Sequence, residues 1–240
     1  MPQKPHKSTK HPKSKPQRFG FIDYLSVVVG IVASVLTIVV EREQPPIYII
    51  MSILMLNCGI MEMVLGIKGR RSNYVFALFS AIGTIFVAFI DQFYGNMAIN
   101  VFYIFVCITG FYLWGKHRDK NKNVIARKLT PWQIAVVALS LTVAAIGLNI
   151  LLEYFGGHST VLDSIATVLI VFASVLGVLR YREQWLIWFT ADVLVLIMWL
   201  DTGNPAAIIM RAFLVIGSAY GYFNWRKLLK NHDKITKSRK

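Results

Sequence analysis

ITGFYLWGK, residues 108–116, has an echo near the other end of the chain in SAYGYFNWRK, residues 218–227. A shift of 111 residues places Gly110 on Gly221, Phe111-Tyr112 on Tyr222-Phe223, Trp114 on Trp225 and Lys116 on Lys227. The same shift puts Phe102 on Phe213 and Arg71 on Arg182. It also puts Tyr74 on Trp185, and Val64-Leu65-Gly66 on Val175-Leu176-Gly177. No gap is needed anywhere in this register. One unit of structure is therefore present twice, and its meaning depends on what lies between the copies.

Between and around them lie apolar runs. Of the 240 residues, 55% are hydrophobic and only 16% are charged. A soluble domain of this length has no use for so much apolar surface. The runs have the length that crosses a bilayer, about 17–25 residues. Eight spans are predicted: Tyr24–Val40, Ile47–Ile67, Tyr74–Ile90, Met97–Trp114, Trp132–Leu152, Leu162–Leu179, Glu183–Leu200 and Pro205–Trp225. The breaks carry turn residues: Pro45-Pro46, Gly95-Asn96, Gly156-Gly157 and Gly203-Asn204-Pro205. The first run is long for a secretory signal, and no small-residue cleavage site closes it, so it reads as a retained span. The fold class is an all-α integral membrane protein.

The register divides this protein into two three-helix units of equal orientation, residues 47–116 and 158–227. A linking span at 130–155 joins them, and an extra N-terminal helix at 20–42 precedes them. Residues 1–19 and 228–240 are basic tails, and the first lacks the apolar content to fold. An odd number of linking spans makes the repeat parallel. Parallel repeats related by an axis along the membrane normal occur in transporters, with substrate held between the units near mid-depth.

The charges set the orientation. Every lysine and arginine except Arg42 and Arg211 falls in residues 1–19, in residues 68–71 and 116–128, at Arg180 and Arg182, or after Trp225. With eight spans these all lie on one side. The opposite loops hold Glu41, Glu43, Asp91, Glu153, Asp163 and Asp201. The positive-inside rule places both termini in the cytoplasm. The net charge of +14 is thus a topology signal and a means of meeting anionic lipid, not a nucleic-acid footprint.

Within the second unit, RYREQWLIWFTAD (180–192) sets Trp185, Trp188 and Asp192 on one helical face. Flat rings beside a buried acid suit a flat, polar, cationic ligand, since a cation over an aromatic face gains about 0.5–2 kcal/mol. The competing readings are interfacial aromatics for Trp185 and Trp188, and a structural ion pair between Asp192 and Arg211. Asp192 lies about 13 Å into its span and Arg211 about 9 Å from the outer end of its own. Gln184 either reaches the same cavity or faces solvent. Asn57, about 15 Å into its span, reads a ligand or bonds another helix. Asn100 and Tyr103 share a face and suit ribose or amide contacts. Glu62 reads as a packing or snorkelling residue, and Cys58 and Cys107 as small packing residues. Tyr74, Ala77 and Ala81 hold the first unit's places for Trp185, Trp188 and Asp192, so the aromatic-acid face belongs to one half.

The pattern formed by Arg180, Glu183, Trp185, Trp188 and Asp192, with the paired endings quoted above, resembles the PnuC family of vitamin transporters. The likeness covers roughly residues 47–227. It implies a SWEET-like three-plus-one-plus-three core, a homotrimer in the bacterial inner membrane, and uptake of nicotinamide riboside by facilitated diffusion. Cytoplasmic phosphorylation would then trap the substrate. Relatives in this family carry thiamine, riboflavin or deoxynucleosides, so another cargo on the same fold is the alternative, and a non-transporting sensor or assembly partner a further one. Two departures stand out. Asn100 occupies a place where glutamine is commoner, and Arg211 interrupts an apolar span.

Enzymatic chemistry has no foothold. There is no phosphate-binding loop, HExxH or GxSxG motif, or pair of catalytic carboxylates. The five histidines, His6, His11, His117, His158 and His232, sit in tails or loops. No cofactor or metal is predicted, and without a nucleotide motif the chain is not a self-contained ATP-driven pump.

Overall fold

In the computed structural model the described residues are 20–237 apart from 93, 120–121, 156–159 and 203–204. The N-terminal tail, His158 and the Gly156-Gly157 and Gly203-Asn204 turns lie outside them. Eight helices form: α1 Phe21–Val40, α2 Pro46–Ile67, α3 Asn73–Ile90, α4 Tyr94–Lys116, α5 Pro131–Tyr154, α6 Thr160–Val178, α7 Gln184–Thr202 and α8 Pro205–Lys237. Prolines open α2, α5 and α8, where the missing N–H has no intrahelical partner to lose. Thr130 caps α5 through a reciprocal box with Gln133, at 2.9 and 3.4 Å. Seven helices are long and apolar enough to cross a bilayer by that measure alone; α7 has a shorter apolar stretch, Gln184–Leu200.

One boundary differs from the sequence reading by more than three residues. The last helix does not stop near Trp225 but continues to Lys237, about 50 Å at 1.5 Å per residue. Leu228 and Leu229 pack against the core, so the stretch after Trp225 begins as structure and not as a tail.

Six helices make a closed ring. In order round it, α2, α3, α4, α6, α7 and α8 each pack on the next, and α8 returns to α2. The 111-residue register turns α2, α3 and α4 into α6, α7 and α8, and it turns the α2/α8 seam into the α6/α4 seam. The ring therefore has an approximate two-fold axis. Helix α1 leans on α2 and α8, while α5 rests on α6 alone. Asp23 pins the start of α1: its carboxylate accepts from the Gly20 N–H at 2.8 Å and pairs with Lys68 at the end of α2. Helix α5 has no buried residue, and large apolar side chains such as Phe105, Leu139 and Phe223 face outward, as a lipid environment allows.

At the lysine- and arginine-rich end the symmetry reaches individual bonds. The Trp114 indole N–H donates to the Gly177 carbonyl at 2.9 Å, and the Trp225 indole N–H donates to the Gly66 carbonyl at 3.1 Å. Each bond runs from one half to the other. Both indoles are essentially unexposed, and their rings are 5.5 Å apart. Arg71 lies 4.6 Å from the Phe111 ring, as Arg182 lies 5.2 Å from that of Tyr222. That both tryptophans meet at one end is the structural expression of the parallel repeat.

Candidate functional site

The ring encloses a cavity of about 250 Å³, and all six of its helices contribute. Gly59, Glu62, Met63 and Gly66 come from α2, and Asn73, Tyr74, Ala77 and Ser80 from α3. Tyr103, Val106, Cys107 and Trp114 come from α4, and Ser174 and Gly177 from α6. Gln184, Trp185, Trp188 and Asp192 come from α7, and Met210, Arg211 and Leu214 from α8.

The end nearest the basic loops is walled by rings. Tyr74 meets Trp114 edge-on at 5.0 Å, and Trp185 meets Trp225 edge-on at 5.9 Å. These are equivalent contacts in the two halves. They are possible because Gly110 and Gly221 present bare backbone. A Cβ on Gly110 would stand 2.2 Å from the Tyr74 ring, and one on Gly221 2.5 Å from that of Trp185. The glycines are thus the seats of the rings, which explains why glycine accompanies an aromatic residue at both places.

Between these walls are buried polar atoms with no partner among the described residues: Gln184 Nε2, Trp185 Nε1 and Asn73 Oδ1. Such groups are costly in a closed interior and rare without a reason. Asn73 and Gln184 occupy the same place in the two halves, each beside a glycine, Gly66 or Gly177. Together they offer hydrogen-bond donors and an acceptor to whatever enters.

Deeper in the ring the two halves part. Asp192, 2% exposed, lies 3.7 Å from Arg211 Nη1 and accepts from the Ser218 hydroxyl at 3.3 Å. The ion pair foreseen as the structural alternative is present, and both of its members also line the cavity. Ser174 donates to the Tyr103 hydroxyl at 3.4 Å, linking α6 to α4 beside the same space.

Of the residues singled out from sequence, Gln184, Trp185, Trp188, Asp192, Tyr103 and Arg211 come together. Asn57 and Asn100 do not line the cavity. The Asn57 amide donates to the Ser34 hydroxyl of α1 and to the Ile53 carbonyl, both at 2.9 Å, so it fastens α1 to α2. Depth in a span is legible from sequence; which way a side chain turns depends on where α1 packs. Asn100 is buried on α4 away from the cavity lining.

Several lining residues escaped the sequence reading, Ser80 and Ser174 among them. Glu62 faces the cavity and not lipid, and Cys107 lines it as well as packing in the core. Asn73 was available from the register as the counterpart of Gln184. Gly59 and Gly66, three before and four after Glu62, were the signal that its face is lined with small residues and open.

Comparison with known proteins agrees with this architecture. A sequence profile for nicotinamide mononucleotide transporters matches residues 49–227. A nicotinamide riboside transporter PnuC from Haemophilus influenzae is 37% identical over 179 residues, 72% of this chain and 77% of the relative. Its counterpart from Neisseria mucosa is 32% identical over 188 residues, 73% and 71% of the two chains. A solved structure described as that of the vitamin B3 transporter PnuC superposes with a TM-score of 0.70 at 28% identity, covering 87% of this chain and 93% of its own. With the profile spanning most of the sequence and the ring, the repeat and the RYREQWLIWFTAD face in place, this chain belongs to the PnuC family.

Proposed function

We propose that this protein takes up nicotinamide riboside across the bacterial inner membrane, with both termini in the cytoplasm. The observation that carries the reading is the set of orphaned polar atoms, Gln184 Nε2, Trp185 Nε1 and Asn73 Oδ1, held between aromatic walls in the central cavity. A nicotinamide ring is flat and bears a primary carboxamide, which offers one strong acceptor and two N–H donors. Rings on Trp185, Trp188 and Tyr74 suit its faces, and the orphaned groups suit its amide. Hydroxyls of Tyr103, Ser80 and Ser174 line the same space; Ser80 and Ser174 donate to the Met55 and Ile170 carbonyls at 2.9 and 2.8 Å, which leaves their oxygens to accept from a ribose. The riboside fits better than the mononucleotide, which differs by a phosphate. Two carboxylates and a single guanidinium make the cavity unfavourable for an added dianion.

Transport is by alternating access. The halves α2–α4 and α6–α8 rock against each other along the α2/α8 and α4/α6 seams, and the Trp114–Trp225 contact is the closure on the basic, cytoplasmic side. Movement is downhill, a reading supported by a cavity lining without histidine among the described residues and a sequence without a nucleotide-binding motif. Phosphorylation in the cytoplasm then retains the product. The homotrimer that the family resemblance implies would use α5, the helix with no buried side chain.

Uptake of labelled nicotinamide riboside by purified protein in liposomes tests this. Saturable uptake that persists without proton or sodium gradients is expected. Dependence on either gradient overturns facilitated diffusion, and absence of uptake overturns transport of this substrate. Trp188→Ala should weaken binding about tenfold by calorimetry, the loss of one aromatic face against a cation, with folding retained.

A further inference from the structure

The cavity holds two carboxyls and one guanidinium at membrane depth: Glu62 on α2, Asp192 on α7 and Arg211 on α8. Two of them answer each other, because Asp192 and Arg211 form an ion pair and Ser218 adds a hydrogen bond to the acid. Glu62 has no such answer. It is half-buried, faces the cavity, and makes no hydrogen bond or ion pair with any described residue. With the other two offsetting, the ionised cavity carries one net negative charge, and that charge is on Glu62.

The setting of this carboxyl is specific. Tyr74, Tyr103 and Cys107 line the same cavity. On its own helix the flanking residues of the same face are Gly59 and Gly66, so the side chains near it there come from other helices, Ser80 and Met210 over Gly59 and Asn73 and Trp185 over Gly66. The register puts Ala173 at the equivalent place of the second half, so the acid is single. An unpaired charge at this depth is costly unless a counter-charge reaches it. The Tyr74 and Tyr103 rings that line the same cavity add their own attraction for a cation.

We propose that Glu62 is the counter-charge for the cationic ring of the ligand and the residue that selects a charged ring over a neutral one. This rests on the ligand class proposed above. N-glycosylated nicotinamide is a pyridinium cation. Its dihydropyridine form keeps the ribose and the carboxamide but has a neutral ring. The amide-reading groups and the tryptophans treat the two forms nearly alike in shape, whereas Glu62 does not.

Calorimetry of both forms on the purified protein and on Glu62→Gln separates the possibilities. The unaltered protein should prefer the cationic form by about tenfold or more, and Glu62→Gln should shrink that preference to about threefold or less. The shrinkage should come from weaker binding of the cation, with the neutral form unchanged to about twofold. A folded Glu62→Gln protein that keeps the preference overturns the assignment, and so does an unaltered protein that binds both forms equally. Glu62→Met, apolar and of similar length, serves the same comparison where the glutamine variant does not fold. An unaltered protein that binds neither form overturns the proposed function itself, a result distinct from binding without charge preference.

Discussion

Residues 64–74 and 110–116 of the first half do at one end of the ring what residues 175–185 and 221–227 do for the second. Each half sends an indole N–H to a glycine carbonyl of the other, seats an aromatic ring on a glycine, and lays an arginine over a ring. At mid-depth the residues of the two halves that carry the chemistry differ. In the register Ala77 and Ala81 correspond to Trp188 and Asp192, Glu62 to Ala173, and Asn100 to Arg211. A symmetric end can close and open by equal movements of both halves. A cavity unlike on its two sides holds one ligand in one orientation. The difference separates the parts that move from the parts that recognise.

The largest effect is expected where the asymmetry is deepest. Asp192→Ala gives the second half the residue that the first already has at Ala81. It strands Arg211, and breaking a buried pair by removing one partner costs about 3–5 kcal/mol. Arg211 keeps 32% side-chain exposure, which lowers the expectation to about 2–3 kcal/mol. Unfolding in denaturant measures it. The double variant Asp192→Ala/Arg211→Met should recover most of the stability while remaining unable to bind ligand normally. If the double variant is as unstable as the single one, the pair is not what holds these helices, and the two halves differ there for another reason.

The same contrast explains what the chain reveals before folding. The repeat was legible because aromatic and glycine residues recur without a gap, and large side chains seated on bare backbone tolerate little drift. That Trp114 bonds Gly177 and not its own half was not legible, because it depends on how the ring closes. Trp188 and Asp192 could be placed from spacing on one helix. Asn57 could not, since its depth suits a ligand equally well and only the packing of α1 turns it toward Ser34. Glu62 was misread for the same reason. Distance from a helix end is written in the sequence, but the face that meets the cavity is set by neighbours far along the chain.

A middle-sized effect tests the symmetric end. Gly110→Ala and Gly221→Ala each push a methyl group into a buried ring, at 2.2 and 2.5 Å before relaxation. Overpacking of this kind costs about 1–3 kcal/mol, and the two costs should agree to about 0.5 kcal/mol if the halves are mechanically equivalent. Shrinking the ring should rescue each: Tyr74→Ala in the first half, Trp185→Ala in the second. A double-mutant cycle that shows coupling in one half only would mean that one ring alone bears on its glycine.

The smallest effect reaches below the side chains. Gly69 and Arg180 occupy the same place after α2 and α6, and both have φ of 67°. In each turn the next residue bonds back to the helix, Arg70 N–H to the Leu65 carbonyl and Tyr181 N–H to the Leu176 carbonyl, both at 2.9 Å. This is the left-handed close of a helix, where glycine is at ease and other residues pay about 1–2 kcal/mol. The chain between the halves then fastens to both turns: Val124 N–H donates to the Gly69 carbonyl at 2.8 Å and Arg127 N–H to that of Arg180 at 2.7 Å. Gly69→Ala should therefore destabilise by about 1 kcal/mol, more if its Cβ cannot clear Val124. Arg180→Gly should do the opposite or nothing. It relieves the turn and removes a guanidinium that burial, and then the neighbouring Arg127, pull below its ordinary pKa. Because that shift disfavours the charged form in the folded state, losing the group costs no favourable ionisation. Against this stand a more flexible unfolded chain and a long 3.5 Å contact to the Ile125 carbonyl, so the net change should lie between none and a gain of about 1 kcal/mol. Opposite signs at the two places would show that the backbone turn is what the halves share. A loss at Arg180 as large as that at Gly69 would make its side chain, and not the turn, the reason arginine is there.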